Sequence, residues 1–196
     1  VFEFSHRDRS ISILFGDGAG ATLLRAENSE NGITAKSKER GIIDCYMGND
    51  GSAAEKLGML RPGMIPGKKD FLTAEEADAR VYVPYMEGKF VFKNAVSKMS
   101  SSAELLCKRN NINISDLSLV VTHQANLRIN EAVRAKLELP PEKVYSNIER
   151  YGNTTAASIP LCLSEAALEG QLKQGDLIML LAFGSGFTWG ANLIRW

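Results

Sequence analysis

Leu177-Ile-Met-Leu-Leu-Ala-Phe183, followed by Gly184-Ser-Gly186 and then Phe187-Thr-Trp-Gly-Ala-Asn-Leu-Ile194, decides the fold class. An unbroken apolar run bounded by turn residues predicts a strand covered on both faces. The glycines flanking Ser185 predict a turn into a closing strand over 187–194. Upstream, Phe92, Val96, Met99, Ala103, Leu106 and Cys107 recur at three and four, which predicts a helix over 90–109. Residues 118–122 predict a short strand. Residues 125–137 predict a helix with Ile129, Ala132, Val133 and Leu137 on one face, stopped by Pro140 and Pro141. A strand over 144–148 and a helix over 154–168, ended by Gly170, come next. Strands that alternate with helices and end in a hairpin predict an α/β layer fold.

The N-terminal portion is less regular. Residues 11–15 and 21–25 are β-prone, and the glycines at 16, 18 and 20 predict a tight reversal between them. Gly16-Asp-Gly18-Ala-Gly-Ala21 fits G-x-G-x-x-A. A dinucleotide fingerprint must open a helix, however, and the strand-like Thr22-Leu-Leu24 that follows leaves none, so nucleotide binding is rejected here. Residues 41–88, with Gly48, Gly51, Gly58, Gly63 and Gly67 among Pro62, Pro66 and Pro84, predict a long loop-rich excursion with a helical turn near 52–57.

Composition narrows the function. The 196 residues carry 23 Lys+Arg against 23 Asp+Glu, and this zero net charge excludes a generic binder of nucleic acid or anionic membranes. Cys45, Cys107 and Cys162 are odd in number and contain no C-x-x-C pair. They predict a reducing compartment, without a disulfide framework or a zinc site. The longest apolar run is far short of the roughly 18 residues of a membrane helix. The polar start at Val1, without an initiator methionine, predicts no signal peptide and part of a longer protein.

Three places could carry chemistry. In Val120-Val-Thr-His-Gln-Ala-Asn126, His123 stands at the carboxyl end of a strand just before a helix, where open α/β sheets bind ligands. A satisfied histidine in a strand–helix turn is the alternative. In Tyr151-Gly-Asn-Thr-Thr-Ala-Ala-Ser158, Asn153 reads as a helix N-cap after a glycine turn or as an amide donor to a substrate oxygen. The small Ala156, Ala157 and Ser158 permit close approach by another element. In Ala182-Phe-Gly-Ser-Gly-Phe187, glycine-rich backbone after a buried strand can aim N–H groups at a developing oxyanion, or serve only as a hairpin turn.

Five segments occur in one order: Phe15-Gly-Asp-Gly-Ala-Gly-Ala21, Val91-Phe-Lys-Asn-Ala-Val96, His123-Gln-Ala-Asn-Leu-Arg-Ile129, Gly152-Asn-Thr-Thr-Ala-Ala-Ser158 and Phe183-Gly-Ser-Gly-Phe-Thr-Trp-Gly190. Together they resemble β-ketoacyl-acyl-carrier-protein synthase III, a condensing enzyme of the thiolase-like superfamily. The resemblance runs over nearly the whole chain and is weakest over 41–88. It implies a fold of two similar layered α/β halves, of which residues 1–196 are the second. It also implies a Cys–His–Asn triad in which His123 and Asn153 are the histidine and asparagine. The nucleophilic cysteine belongs to the first half, absent from this chain, and none of Cys45, Cys107 or Cys162 lies in a context like it.

The implied reaction is decarboxylative condensation of an acyl-CoA primer with malonyl-acyl carrier protein, which starts fatty-acid synthesis without a metal or other cofactor. Loss of CO2 drives charge onto the malonyl thioester oxygen, where His123 Nε2–H and Asn153 Nδ2–H would both donate. The Ser185 backbone N–H would serve a second oxyanion, in a position where a smaller residue is commoner. Asn126 matches a pantetheine-contacting asparagine, and Phe92 a tunnel-lining residue or a core residue. Arg128, a cation at a helix N-terminus where the dipole disfavours one, and Lys93 are candidates for phosphate or for the acidic carrier. The resemblance further implies a cytoplasmic homodimer that pairs with the N-terminal half and with acyl carrier protein. Polyketide or quinolone starter synthases and a non-catalytic acyl-binding partner subunit are the alternatives. Thiolases fit poorly because residues 180–190 contain no cysteine, and elongating synthases because they place a second histidine where Asn153 stands.

Overall fold

The computed structural model of the chain describes residues 13–26, 28, 32–37, 39–59, 73–75 and 84–196. Among them the strands are β1 (Gly41–Asn49), β2 (Leu57–Gly58), β3 (Tyr85–Met86), β4 (Leu119–Thr122), β5 (Val144–Tyr145), β6 (Leu177–Gly184) and β7 (Thr188–Arg195). The α-helices are α1 (Gly88–Arg109), α2 (Leu127–Lys136), α3 (Ile148–Tyr151) and α4 (Ser158–Leu168). Five strands form one mixed sheet in the order β1-β7-β6-β4-β5. In it β4 runs parallel to β5 and β6, and β7 runs antiparallel to β6 and β1. β2 and β3 pair separately.

Alternation along the strands supplies two cores. Val120, Met179, Leu181 and Leu193 pack with Met99 and Leu106 of α1 and Val133 of α2. Leu119, Val121 and Ile178 pack with Cys162 and Ala166 of α4. Neighbouring residues of one strand face opposite ways, so the sheet lies between helical layers. Every residue of β4 is buried, as a parallel strand covered on both faces must be. The layered α/β architecture and the closing hairpin are those expected from the sequence.

Several expectations need correction. Residues 41–49 open the segment read as loop, yet they form the edge strand β1. Its half-buried alternation and two glycines hide a β pattern that becomes stable only against β7. The helical turn near 52–57 is present as a 3-10 turn, Gly51–Lys56. Much of 60–83 lies outside the described residues, as do Ile11 and Ser12 of the first predicted strand.

Residues 21–25 form no strand. None of Gly16, Gly18 and Gly20 has a positive φ, so they make no tight reversal of the expected kind. They are needed for space instead. A Cβ on Gly16 would stand 1.8 Å from the Tyr151 carbonyl oxygen, and one on Gly20 would stand 2.4 Å from Pro160 Cβ. Among the described residues 21–26 and 28 no helix follows this glycine run.

The strand expected over 144–148 stops at Tyr145, and the Asn147 backbone N–H donates to the Gln124 side chain rather than to a neighbouring strand. The helix expected over 154–168 begins as a 3-10 turn, Thr155–Ala157, before α4. On α1 the buried stripe starts with Val91 and Ala95, which leaves Phe92 38 % exposed.

Candidate functional site

His123 follows β4 directly, and its backbone N–H donates to the Leu181 carbonyl at 2.7 Å, which extends the β4–β6 ladder by one residue. The chain then turns because Gln124 points inward. Its Nε2 donates to the Thr122 carbonyl at 2.9 Å. Its Oε1 accepts from Ser146 Oγ at 2.8 Å, Asn130 Nδ2 at 3.2 Å and Asn147 N at 3.3 Å. Gln124 is fully buried, so these bonds both satisfy it and tie the turn after His123 to β5 and α2. Asn126 caps α2, its Oδ1 accepting from Arg128 N at 2.9 Å.

The His123 ring is half-buried, and its Nδ1 lies 2.7 Å from Ser158 Oγ, in the first turn of α4. Burial pushes the imidazole pKa below its usual value of 6.5, which favours the neutral ring at pH 7.

Asn153 enters from another direction. Gly152 holds φ +65° and ψ −157°, a combination essentially confined to glycine. It turns the chain so that Asn153 N donates to the Leu14 carbonyl at 2.8 Å and Asn153 O accepts from Gly16 N at 3.0 Å. Asn153 Oδ1 accepts from Thr155 N at 2.9 Å. Asn153 is not the helix N-cap that its sequence position suggests: Thr154 holds the N-cap position of the 3-10 turn, and Asn153 instead closes an Asx turn, a bond that leaves Nδ2 free for a donor role. The oxygen end of the amide is held by backbone, and Nδ2 has no hydrogen-bond partner among the described residues.

His123 and Asn153 line the same open basin of about 1800 Å3. Asn126, Arg128, Phe92 and Ser185 line it as well. Lys93 is exposed on α1 and stands outside this lining, whereas Lys89, one turn earlier, belongs to it. Phe92 faces the basin and not the core. Arg128 is exposed and has no ion-pair partner among the described residues. Ser185 Oγ donates to the Leu57 carbonyl at 2.7 Å, and its backbone N–H has no backbone acceptor among the described residues. The positive φ of this turn falls on Gly186, so Ser185 adopts a backbone that serine tolerates.

Two residues escaped the sequence reading. Ser158 counted there only as a small residue, and Gln124 was not singled out. A hydroxyl or an amide beside a candidate histidine is too common to mark a site until the fold shows what it touches.

Cys107 and Cys162 are buried, and burial pushes their thiols up to about 11 and about 12. Both stay protonated at neutral pH and neither is poised as a nucleophile. No helix among the described residues is long and apolar enough to cross a membrane.

The sheet order, the helical layers on both its faces and the closing hairpin define a thiolase-like α/β protein, and known proteins agree. The C-terminal family model described as 3-oxoacyl-[acyl-carrier-protein] synthase III C terminal matches residues 107–196, and the companion 3-oxoacyl-[acyl-carrier-protein] synthase III model matches residues 3–51. The chain is 40% identical over 193 residues to the beta-ketoacyl-[acyl-carrier-protein] synthase III of Clostridium tetani, covering 97% of this chain and 55% of that protein. Crystal structures of the synthase III from Pseudomonas aeruginosa PAO1 and from Aquifex aeolicus VF5 superpose with TM-scores of 0.79 and 0.78 at 39% and 38% identity. Each match covers 96% of this chain and 52% of the other. The chain belongs to the 3-oxoacyl-[acyl-carrier-protein] synthase III family. It spans about half the length of the curated relatives it matches.

Proposed function

We propose that the protein containing this chain condenses an acyl-CoA primer with malonyl-acyl carrier protein and so begins fatty-acid synthesis. A cysteine thiolate supplied outside these residues attacks the primer thioester, releases CoA and retains the acyl group. The malonyl thioester then enters, and loss of CO2 leaves an enolate. His123 Nε2–H and Asn153 Nδ2–H donate to the enolate oxygen from two sides. The enolate carbon attacks the acyl-cysteine, and the Ser185 N–H donates to the resulting tetrahedral oxyanion. Collapse expels the thiolate and yields the β-ketoacyl carrier. Arg128 and Asn126 at the start of α2, Phe92 and, more peripherally, Lys93 receive the pantetheine arm and its acidic carrier. No cofactor beyond the two thioester substrates enters this scheme. The reading carries with it a cytoplasmic homodimer and an N-terminal half that brings the cysteine.

One observation supports this most. Two side chains about thirty positions apart in the chain line one basin, and each has its inner polar atom anchored: His123 Nδ1 by Ser158 and Asn153 Oδ1 by Thr155 N. In the full-length enzyme, His123→Ala and Asn153→Ala should each slow CO2 release from malonyl-acyl carrier protein by about 100-fold or more, the usual effect of removing one oxyanion donor. Release at the wild-type rate in either variant refutes the enolate role.

A further inference from the structure

Ser158 Oγ and His123 Nδ1 are 2.7 Å apart, and Ser158 is 1% exposed. A hydroxyl carries one proton, and a neutral imidazole has one N–H and one bare nitrogen. Two arrangements fit the distance. If Nδ1 carries the ring proton, it donates to Oγ, and the serine proton must find another acceptor. Among the described residues Ser158 Oγ has no other hydrogen-bond partner, so that proton would be buried and unsatisfied. If Ser158 donates to a bare Nδ1, both groups are satisfied, and the ring proton is on Nε2.

We propose that Ser158 is a positioning residue for His123, its hydroxyl donating to Nδ1 and so holding the ring proton on Nε2, the nitrogen that serves the enolate. The assignment deepens the condensing-enzyme reading and rests on it. Burial of the ring acts in the same sense, because it keeps the imidazole neutral and makes the choice of tautomer decisive. The first turn of a helix also disfavours a cation beside it. Ser158 is held by α4 and His123 by the end of β4, so the hydroxyl also sets the ring's angle between two rigid elements. Asn153 is served in parallel, by the Thr155 backbone N–H.

The test uses the full-length enzyme labelled with 15N-histidine, with the His123→Gln spectrum identifying the His123 signals. At pH 7.5 the expected result is a protonated Nε2 and a bare Nδ1. Ser158→Ala should lower kcat for malonyl decarboxylation at least tenfold and leave KM for malonyl-acyl carrier protein within twofold, since the substrate contacts remain. A protonated Nδ1 in the wild type overturns the assignment without recourse to any Ser158 variant. So does a Ser158→Ala enzyme that decarboxylates within twofold of wild type. Undiminished decarboxylation by His123→Ala in the same assay overturns the condensing-enzyme role of His123 itself. Loss of activity in His123→Ala together with a protonated Nδ1 overturns only the part given to Ser158.

Discussion

Phe15 and Asn153 form a parallel β-bridge, in which the main chain of Asn153 is gripped from both sides by residues 14 and 16. The asparagine amide is therefore placed by a strand-like clamp from the far N-terminal end of the chain as well as by its own turn. The clamp closes only because Gly16 and Gly152 lack a side chain. At Gly152 a Cβ would meet the Leu14 carbonyl oxygen at 3.0 Å in a backbone conformation that L-residues avoid.

Gly152→Ala should consequently injure both stability and chemistry. The strained conformation costs about 1–3 kcal/mol. The alternative is a relaxed turn that moves Asn153 away from the basin. Thermal unfolding of the full-length enzyme should show a lowered midpoint, and decarboxylation should fall in the same variant. A variant as stable and as active as wild type contradicts the clamp.

Asn153→Asp separates the Asx-turn bond from the proposed donor role. The new carboxylate still accepts from Thr155 N, so the unfolding midpoint should stay near wild type. Asn153→Ala, by contrast, should cost about 1 kcal/mol through the lost Asx-turn hydrogen bond. Decarboxylation should rank the other way. On the proposed mechanism aspartate would present a negative oxygen to the enolate, so Asn153→Asp should be the slower enzyme, at or beyond the roughly 100-fold loss of a missing donor. Rates of CO2 release and calorimetric midpoints for the two variants test both orders.

The depressed pKa of His123 couples stability to pH. A base whose folded-state pKa lies below 6.5 binds its proton less readily when folded than when unfolded. Its share of stability is complete above 6.5. It falls as the pH drops from 6.5 toward the folded-state pKa, with a slope of at most about 1.4 kcal/mol per pH unit. Urea unfolding at pH 7.5 and pH 5 should therefore show a larger loss for wild type than for His123→Gln. Equal losses contradict a buried neutral ring.

Cys107 and Cys162 should resist alkylation. With thiols near 11 and 12 and little solvent contact, neither offers thiolate to iodoacetamide at pH 7.5. Peptide mass mapping should find both unmodified in the native enzyme and modified once denaturant is added. Rapid native labelling of either would show that its helix opens readily.

The residue order alone carried the α/β layering, because apolar runs at 119–121 and 177–183 and the helical stripe of Met99, Ala103, Leu106 and Cys107 are local patterns that burial enforces directly. It also carried His123 and Asn153 as candidates. One follows a buried strand and the other follows a glycine, and both contexts are visible within a few residues. Strand β1 was missed because an edge strand with a half-buried face takes its stability from its partner β7, some 140 positions away.

What the tertiary structure alone decided is convergence. Ser158 beside His123 Nδ1, and Leu14 and Gly16 around Asn153, are contacts between segments whose spacing along the chain says nothing about their distance in space. Periodicity reports which way a side chain faces within its own element. Which atoms then meet depends on how the layers pack, and at 2.7–3.0 Å a shift of one ångström separates a held imidazole from a free one.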